Sequence, residues 1–488
     1  MSVEKFNLFS FRGKMRVLHY SWFAFFLTFV VWFNAAPLMQ AIGTSLGASA
    51  SELVALATVN VALAVPARVL IGMLVDRYGP RLMYSGLLIL GAFPCFWFAT
   101  VDTLGEAALA RFFCGVIGAG FVIGIRLISE WFPHNELGTA EGIYGGWGNF
   151  GSAAAAFSLP TLALWFGGED GWRYAIAFTG LLSLIFGFVF YHGVRDTPQG
   201  STYFKPKSLG ATEVTSVGDL VLLYVMKVPM YLCLIVLAWR LSPAGFGLLS
   251  ESITQAVYVA VLLVLLLDFH KVWQTNRGLL HTPVPELHRY KFKQVAILNV
   301  LYFCNFGSEL AVVSILPLFF AQTFELTPIW AGIIASTHAF LNLVSRPGGG
   351  WLSDRYGRKK TLLIVTAGLA ACYAVASYIT SEWALLLATI VVMACAFFVQ
   401  AGEGAVFATV PLIKRRLTGQ IAGMTGAYGN VGSVTYLLIL TFVDYSTFFL
   451  IIALSAVVGF ITLLFMEEPR GSIAEVNEDG TVELIQVG

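Results

Sequence analysis

The sequence predicts an all-α integral membrane protein made of two pseudo-symmetric six-helix bundles, with a central insert holding two more apolar segments. Three observations carry this. The 488 residues are 58% hydrophobic and 12% charged, with a mean hydropathy of +0.78; a soluble domain carries about 25% charged residues. Apolar runs recur along the whole chain, each reaching the roughly 18 residues that cross a bilayer core as a helix. Two motifs occur twice at nearly one offset. "GIYGGWGNFGS" (142–152) and "GMTGAYGNVGS" (423–433) lie 281 residues apart, and "RVLIGMLVDRYGPR" (68–81) and "RPGGGWLSDRYGRK" (346–359) lie 278 apart. So many spans favour a helical bundle over a barrel, whose strands would alternate with period two. Parallel duplicated halves around a central cavity are a transporter architecture.

The N-terminal lobe (1–195) has predicted spans near 19–40, 53–75, 81–101, 107–132, 139–165 and 173–193. No small-residue cleavage site follows the basic N-terminus at signal-peptide distance, so the first helix is expected to be retained. The insert (196–293) has apolar runs near 218–239 and 252–269. Both lobes put their D-R-x-G loop on the basic side, so an even number of spans separates them. Two extra membrane helices fit. A hairpin lying in the interface preserves parity equally, and Lys227 and Pro229 interrupt the first run. The C-terminal lobe (294–467) has spans near 295–320, 328–352, 360–380, 384–412, 419–442 and 446–466; no structure is predicted for the acidic tail, 468–488.

Lysine and arginine set the orientation. Lys5, Arg12, Lys14 and Arg16 precede the first span, Arg77 and Arg81 follow the second, Arg355, Arg358, Lys359 and Lys360 occupy the matching loop, and Lys414–Arg416 form another. The alternate loops, around 41–52, 321–327 and 443–446, carry none. Both termini are therefore expected in the cytoplasm, with the chain in the plasma membrane. The six cysteines sit in apolar segments without metal or redox spacing and read as buried thiols. No P-loop, metal-ligand spacing or nucleophile motif is present, and no basic surface for nucleic acid beyond the membrane-flanking Lys and Arg. No enzyme, metal or cofactor is expected.

G-x-x-x-D-R-x-G followed by a basic residue, between the second and third spans, resembles the signature loop of the major facilitator superfamily. It is Gly72, Asp76, Arg77, Gly79 and Arg81 in one half and Gly350, Asp354, Arg355, Gly357 and Arg358 in the other. The glycines permit a tight turn, and Asp76, Arg77, Asp354 and Arg355 are candidates for a gating loop that pairs with neighbouring helix ends in one conformation. The doubled G-x-x-G-x-x-G-N-x-G-S is similar to the nitrate signature of the nitrate/nitrite porter family. The resemblance covers the chain except the 200–293 insert and the tail, and is closest to the cyanobacterial-type nitrate permease. It implies a monomeric carrier of nitrate and nitrite in the lipid bilayer.

Arg68 and Arg346 each lie one helical turn inside the membrane from the signature loop. An unpaired Arg there costs at least ~2.5–3.5 kcal/mol, and equivalent positions in two halves face each other across the pseudo-two-fold axis. A guanidinium fork matches a planar oxyanion. The resemblance implies that these are the substrate-binding arginines; snorkelling to the interface is the competing reading. Gly142, Gly145, Gly148 and Gly151, repeated as Gly423, Gly426, Gly429 and Gly432, step three apart and allow close helix approach. Asn149 and Asn430 bring neutral amides to a glycine-lined pocket, or act as interhelical glue. Tyr302 and Phe306, by resemblance, and Phe121 line the anion's walls, with Trp32 or Phe33 further candidates.

Uptake of an anion against an inside-negative potential needs cations to move with it, at roughly 2.3 kcal/mol per charge per 100 mV. Glu309 and Glu403 within apolar spans, and Arg126 with Glu130 one turn away, are candidates for proton coupling; His338 is more readily read as a structural residue. Exchange-type members of the family lack an Arg at the position of Arg126, which favours proton symport over nitrate/nitrite antiport. An organic-phosphate exchanger would want more cavity cations. A non-transporting nitrate sensor would want a larger output domain than the tail.

Overall fold

The computed structural model describes residues 6–167, 170–206, 211–280, 284–285, 289–476 and 482–486; Lys5 lies outside them, as does part of the tail. Fourteen long helices account for nearly all of the described residues. The N-terminal lobe is α1 (Gly13–Leu46, broken at Asn34), α2 (Glu52–Tyr78), α3 (Pro80–Phe98), α4 (Leu104–Trp131), α5 (His134–Phe166) and α6 (Gly171–Gly193). The insert is α7 (Val217–Leu241) and α8 (Glu251–Leu280). The C-terminal lobe is α9 (Phe292–Thr323), α10 (Pro328–Tyr356), α11 (Arg358–Ala376), α12 (Leu385–Leu412), α13 (Thr418–Leu440) and α14 (Tyr445–Leu464).

Eleven of these are long and apolar enough to cross a membrane. The other three, α5, α10 and α13, carry the glycine signatures and Arg346. Glycine and polar side chains lower their hydropathy because they face protein across the lobe interface. α5 packs along α10, and α2 along α13.

Local sequence fixes the helix ends. Ser49 and Glu52 form a reciprocal capping box at the start of α2. Thr103, Ser216, Ser250 and Asp444 cap α4, α7, α8 and α14. Gly79 and Gly357 occupy the same motif position in the two lobes, at φ 89° and 98°. Only glycine adopts that conformation without strain, and it ends one helix and starts the next within a single residue.

The insert traverses the full height of the bundle. α7 starts beside α9, where the Phe292 amide donates to Asp219 at 3.1 Å. It ends with Leu241 against Ala55 and Val59, at the opposite end of α2. α8 returns, and Asn276 bonds back to Thr212 and Val214. Lys227 sits midway with its ammonium on both oxygens of Asp268, at 2.7 and 2.9 Å, and Tyr231 donates to the same carboxylate at 2.8 Å. This pairing lets a lysine occupy an apolar helix. Tyr428, within the second glycine signature, donates to the Met226 carbonyl at 2.6 Å and ties α13 to α7.

All six cysteines are free; five are buried and Cys372 is half-buried. The tail departs from expectation. Ser472–Val476 (β1) and Val482–Gln486 (β2) pair antiparallel, Ser472 opposite Gln486.

The Lys227–Asp268 pair yields a stability prediction. Lys227→Met leaves a mostly buried carboxylate uncompensated, a change that costs ~3–5 kcal/mol in comparable sites. Thermal unfolding in detergent should show a lowered Tm for Lys227→Met and recovery in Lys227→Met/Asp268→Leu. A single variant as stable as wild type would show that the pair contributes nothing.

Candidate anion site between the lobes

α2 and α10 bring Arg68 and Arg346 to the lobe interface, near enough for their charges to interact; each is 1% exposed. The glycine signature explains how two large cations fit. Each signature lies against the arginine of the other lobe. A Cβ on Gly426 would stand 3.3 Å from the Arg68 Cδ, and one on Gly145 would overlap the Arg346 Nε and lie 2.9 Å from its Cζ. Gly142 faces the Arg346 carbonyl at 2.6 Å by the same construction, Gly429 the Tyr302 ring, and Gly148 and Gly151 face α1 at Phe25 and Phe26. Gly423 and Gly432 approach the backbones at Arg68 and Phe303.

Aromatic rings wall the pair. The Arg68 guanidinium lies 5.2 Å from the Phe306 ring and 5.8 Å from Trp32; that of Arg346 lies 5.0 Å from Phe121. Tyr302 stacks on Phe306 at 5.2 Å, and Phe407 meets Phe121 and Tyr302 edge-on at 4.5 and 4.8 Å. Phe407 joins both lobes' rings, yet nothing in the sequence separates it from the chain's other phenylalanines. Rings and guanidinium faces suit a flat, weakly hydrated anion, because neither supplies the many donors a strongly hydrated one must regain.

The two arginines differ in their partners. Arg68 donates to backbone carbonyls, Gly118 at 3.1 Å and Gly426 at 2.7 Å, and has no carboxylate partner among the described residues. Arg346 donates to Glu403 at 2.5 Å and to the Tyr302 hydroxyl at 3.3 Å. One guanidinium therefore keeps an uncompensated charge, and the other is occupied by an internal anion. Asn430 is buried with neither side-chain polar atom bonded among the described residues, and the Asn149 side-chain Oδ1 is likewise unpartnered there.

Glu309 lies in the same lobe as Glu403, held by Asn342 at 2.5 Å and Gln400 at 3.3 Å. Arg126 and Glu130 lie elsewhere, at the end of the bundle where α2 turns into α3. Arg126 pairs with Glu130 and with Asp76 at 3.1 Å, and donates to the Tyr203 hydroxyl at 3.2 Å and the Arg415 carbonyl at 2.8 Å. Arg415 reaches Glu130 at 3.5 Å. This cluster locks the lobes together, away from the anion site.

The signature loops complete that lock. Asp76 accepts from the Gly419 and Gln420 amides at the start of α13, both at 2.8 Å. Asp354 accepts from the Gly138 and Thr139 amides in the first turns of α5, at 2.9 and 2.7 Å. A carboxylate on helix N-terminal amides is favoured by both hydrogen bonding and the helix dipole. The cations of this network are Arg126 for Asp76 and Arg358, at 3.0 Å, for Asp354. Arg77 and Arg355 are exposed instead, Arg355 over Trp351. Among the described residues, hydrogen bonds between the lobes lie at Arg68 or toward this basic end. α13 is buried without a break from Thr418 to Ser433 and half-exposed over most of its remainder. The lobes are closed at the basic end.

Gly145→Ala should displace the Arg346 side chain. Equilibrium binding of nitrate to the purified variant should weaken at least tenfold, while Gly86→Ala, on open α3 surface, should bind as wild type. Unchanged affinity in Gly145→Ala would separate Arg346 from the site.

The Major Facilitator Superfamily profile matches residues 21–272 and 298–486. The nitrate/nitrite transporter NrtP of Picosynechococcus is 45% identical over a 520-residue alignment that covers 97% of both chains. NrtP of Nostoc punctiforme is 44% identical, covering 97% of this chain and 96% of its own. Among solved structures, the proton:xylose symporter XylE superimposes with a TM-score of 0.62 at 15% identity, over 93% of this chain and 96% of its own, a likeness of fold alone. These relatives are named as transporters, not enzymes, and the chain belongs to the Major Facilitator Superfamily, within its nitrate/nitrite transporter family.

Proposed function

We propose that this chain is a monomeric secondary transporter that imports nitrate, and nitrite with it, across the plasma membrane by alternating access and proton symport. The observation that carries the proposal is the asymmetry of the arginine pair: Arg68 has no carboxylate partner among the described residues, whereas Arg346 is held by Glu403. An anion seated between them competes with Glu403 for Arg346. Protonating Glu403 frees the guanidinium, so anion binding and proton binding favour each other. The relatives' names support the substrate. The Lys/Arg bias supports a cytoplasmic basic end and cytoplasmic termini; with closure there, the anion arrives from the outer end. Opening inward breaks the Asp76 and Asp354 bonds to α13 and α5.

Uptake into proteoliposomes tests this reading. Nitrate should accumulate in empty vesicles under an inward proton gradient. Uptake only with nitrite loaded inside would make the protein an exchanger, and binding without uptake would make it a sensor. Arg68→Lys keeps the charge but loses the fork; losing one charge-assisted bond, ~1.5–3 kcal/mol, predicts uptake reduced tenfold or more. A well-folded Lys variant with normal uptake contradicts the clamp. Glu403→Gln removes the internal competitor. Nitrate should bind it more tightly, and a proton gradient should no longer drive accumulation; weaker binding would show that Glu403 does not compete with the anion.

A further inference from the structure

A cavity lies apart from the anion site, between α2 and the insert. Its volume is about 560 Å³, and it is walled by α2 from Leu63 to Leu74, by α7 from Lys227 to Leu234 and by α8 from Val264 to Lys271. At the outer end α7 rests on α2, with Leu241 against Ala55 and Val59. The cavity starts where α2 breaks, between Ala62 and Ala64. Pro66 has no N–H for the Ala62 carbonyl four residues back, which is a sufficient cause of the break. Ala67 and Val69, on either side of Arg68, belong to the cavity wall, so whatever fills it borders the segment of α2 that carries the anion clamp.

The lining suits an amphiphile. All but four of its residues are apolar; the exceptions are Lys227, Tyr231, Asp268 and Lys271. Three of these satisfy one another, since Lys227 and Tyr231 both bond Asp268. A buried water needs two to four polar partners, and this pairing leaves few. Leu70, Val264 and Leu267 on the rim are more than half exposed, so the cavity opens sideways, toward the bilayer. Leu63 and Leu74 lie eleven positions apart, about 16 Å along a helix. That is close to the hydrocarbon depth of one leaflet, about 15 Å.

Charge falls at one end of this space. The apolar run of α8 stops at Leu267, and His270, Lys271 and the exposed Trp273 follow. Basic and aromatic residues of this kind sit at the headgroup level of a bilayer. From there α8 continues to Asn276, which bonds Thr212 and Val214 at the basic end of the bundle. Lys271 is exposed and has no carboxylate partner among the described residues. With Lys227 and Asp268 cancelling each other, Lys271 gives the lining a net charge of +1.

We propose that this cavity binds one anionic glycerophospholipid from the leaflet on the side of the basic loops, with an acyl chain between α2 and α7 and the phosphate at Lys271. A zwitterionic lipid offers the same chains but a headgroup of no net charge. One lysine near an anionic membrane surface contributes about 1 kcal/mol, a factor of about five in affinity. The preference for the anionic lipid is therefore modest, and its dependence on a single lysine identifies the site. Lys227 does not share this role, because its ammonium is already on both oxygens of Asp268.

Native mass spectrometry of the full-length protein in detergent, titrated with dioleoyl phosphatidylglycerol or dioleoyl phosphatidylcholine, tests the site. Wild type should bind its first phosphatidylglycerol about fivefold more tightly than its first phosphatidylcholine. Lys271→Gln should bind both lipids alike, and Lys271→Arg should keep the preference. Lys360→Gln removes an exposed lysine at the start of α11, on the other lobe, and should behave as wild type. Val264→Trp puts bulk at the rim of the cavity and should weaken phosphatidylglycerol binding at least fivefold. Glycerol 3-phosphate, a charged head without chains, should not displace the lipid. Equal binding of the two lipids by wild type, or a preference that survives in Lys271→Gln, overturns the anionic-lipid site. Wild-type binding by Val264→Trp, or displacement by glycerol 3-phosphate, overturns the cavity as the place where the chain lies.

Discussion

Two buried guanidinium groups at the lobe interface impose most of what surrounds them. A charge in a membrane interior is tolerated only with compensation, and the two sites compensate differently. Arg68 is solvated by carbonyl dipoles and aromatic faces, while Arg346 has a carboxylate. The glycines follow from this constraint. Arginine side chains cross from one lobe to a helix of the other only where that helix has no side chain, and Gly145 and Gly426 supply those gaps. The sequence periodicity of glycine reads as helix packing, and here packing and cation accommodation are the same requirement.

Closure at the basic end uses a second reciprocal device. Each lobe lends a carboxylate from its signature loop to the first turns of a helix in the other, and α5 and α13 are also the helices that carry the glycines. The anion site and the closed end are therefore joined by rigid helices roughly a few turns long. Gly145 and Gly426 lie about two turns along α5 and α13 from the amides that hold Asp354 and Asp76. The insert adds to the load on α13 through Tyr428 and Met226.

Much of this was legible in the sequence. The duplication, the spans and the arginine positions follow from repeated motifs and apolar runs. α5, α10 and α13 are less apolar than the other eleven helices, and the recurrence of their motifs supports the spans read there. Pairings between distant segments were not legible. Lys227 reads as an interruption until Asp268, 41 residues on, is seen beside it. The signature loops were expected to set both Asp and Arg against neighbouring helix ends, but only Asp76 and Asp354 sit there, while Arg77 and Arg355 are exposed and Arg126 and Arg358 pair with the carboxylates. Glu403 was recognisable as an intramembrane carboxylate, but its bond to Arg346 joins positions 57 apart. The buried polar groups around His338 come from three helices, and no single stretch of sequence displays them together.

The central claim is that the transported anion and the Glu403 carboxylate compete for the Arg346 guanidinium, so that anion and proton bind together. Calorimetric titration of nitrate into the purified protein, repeated in buffers of different ionisation enthalpy, tests it most directly by counting protons exchanged on binding. The account predicts net proton uptake when nitrate binds to wild type and a clear reduction of that uptake in Glu403→Gln. Nitrate binding with no proton uptake in wild type would contradict it.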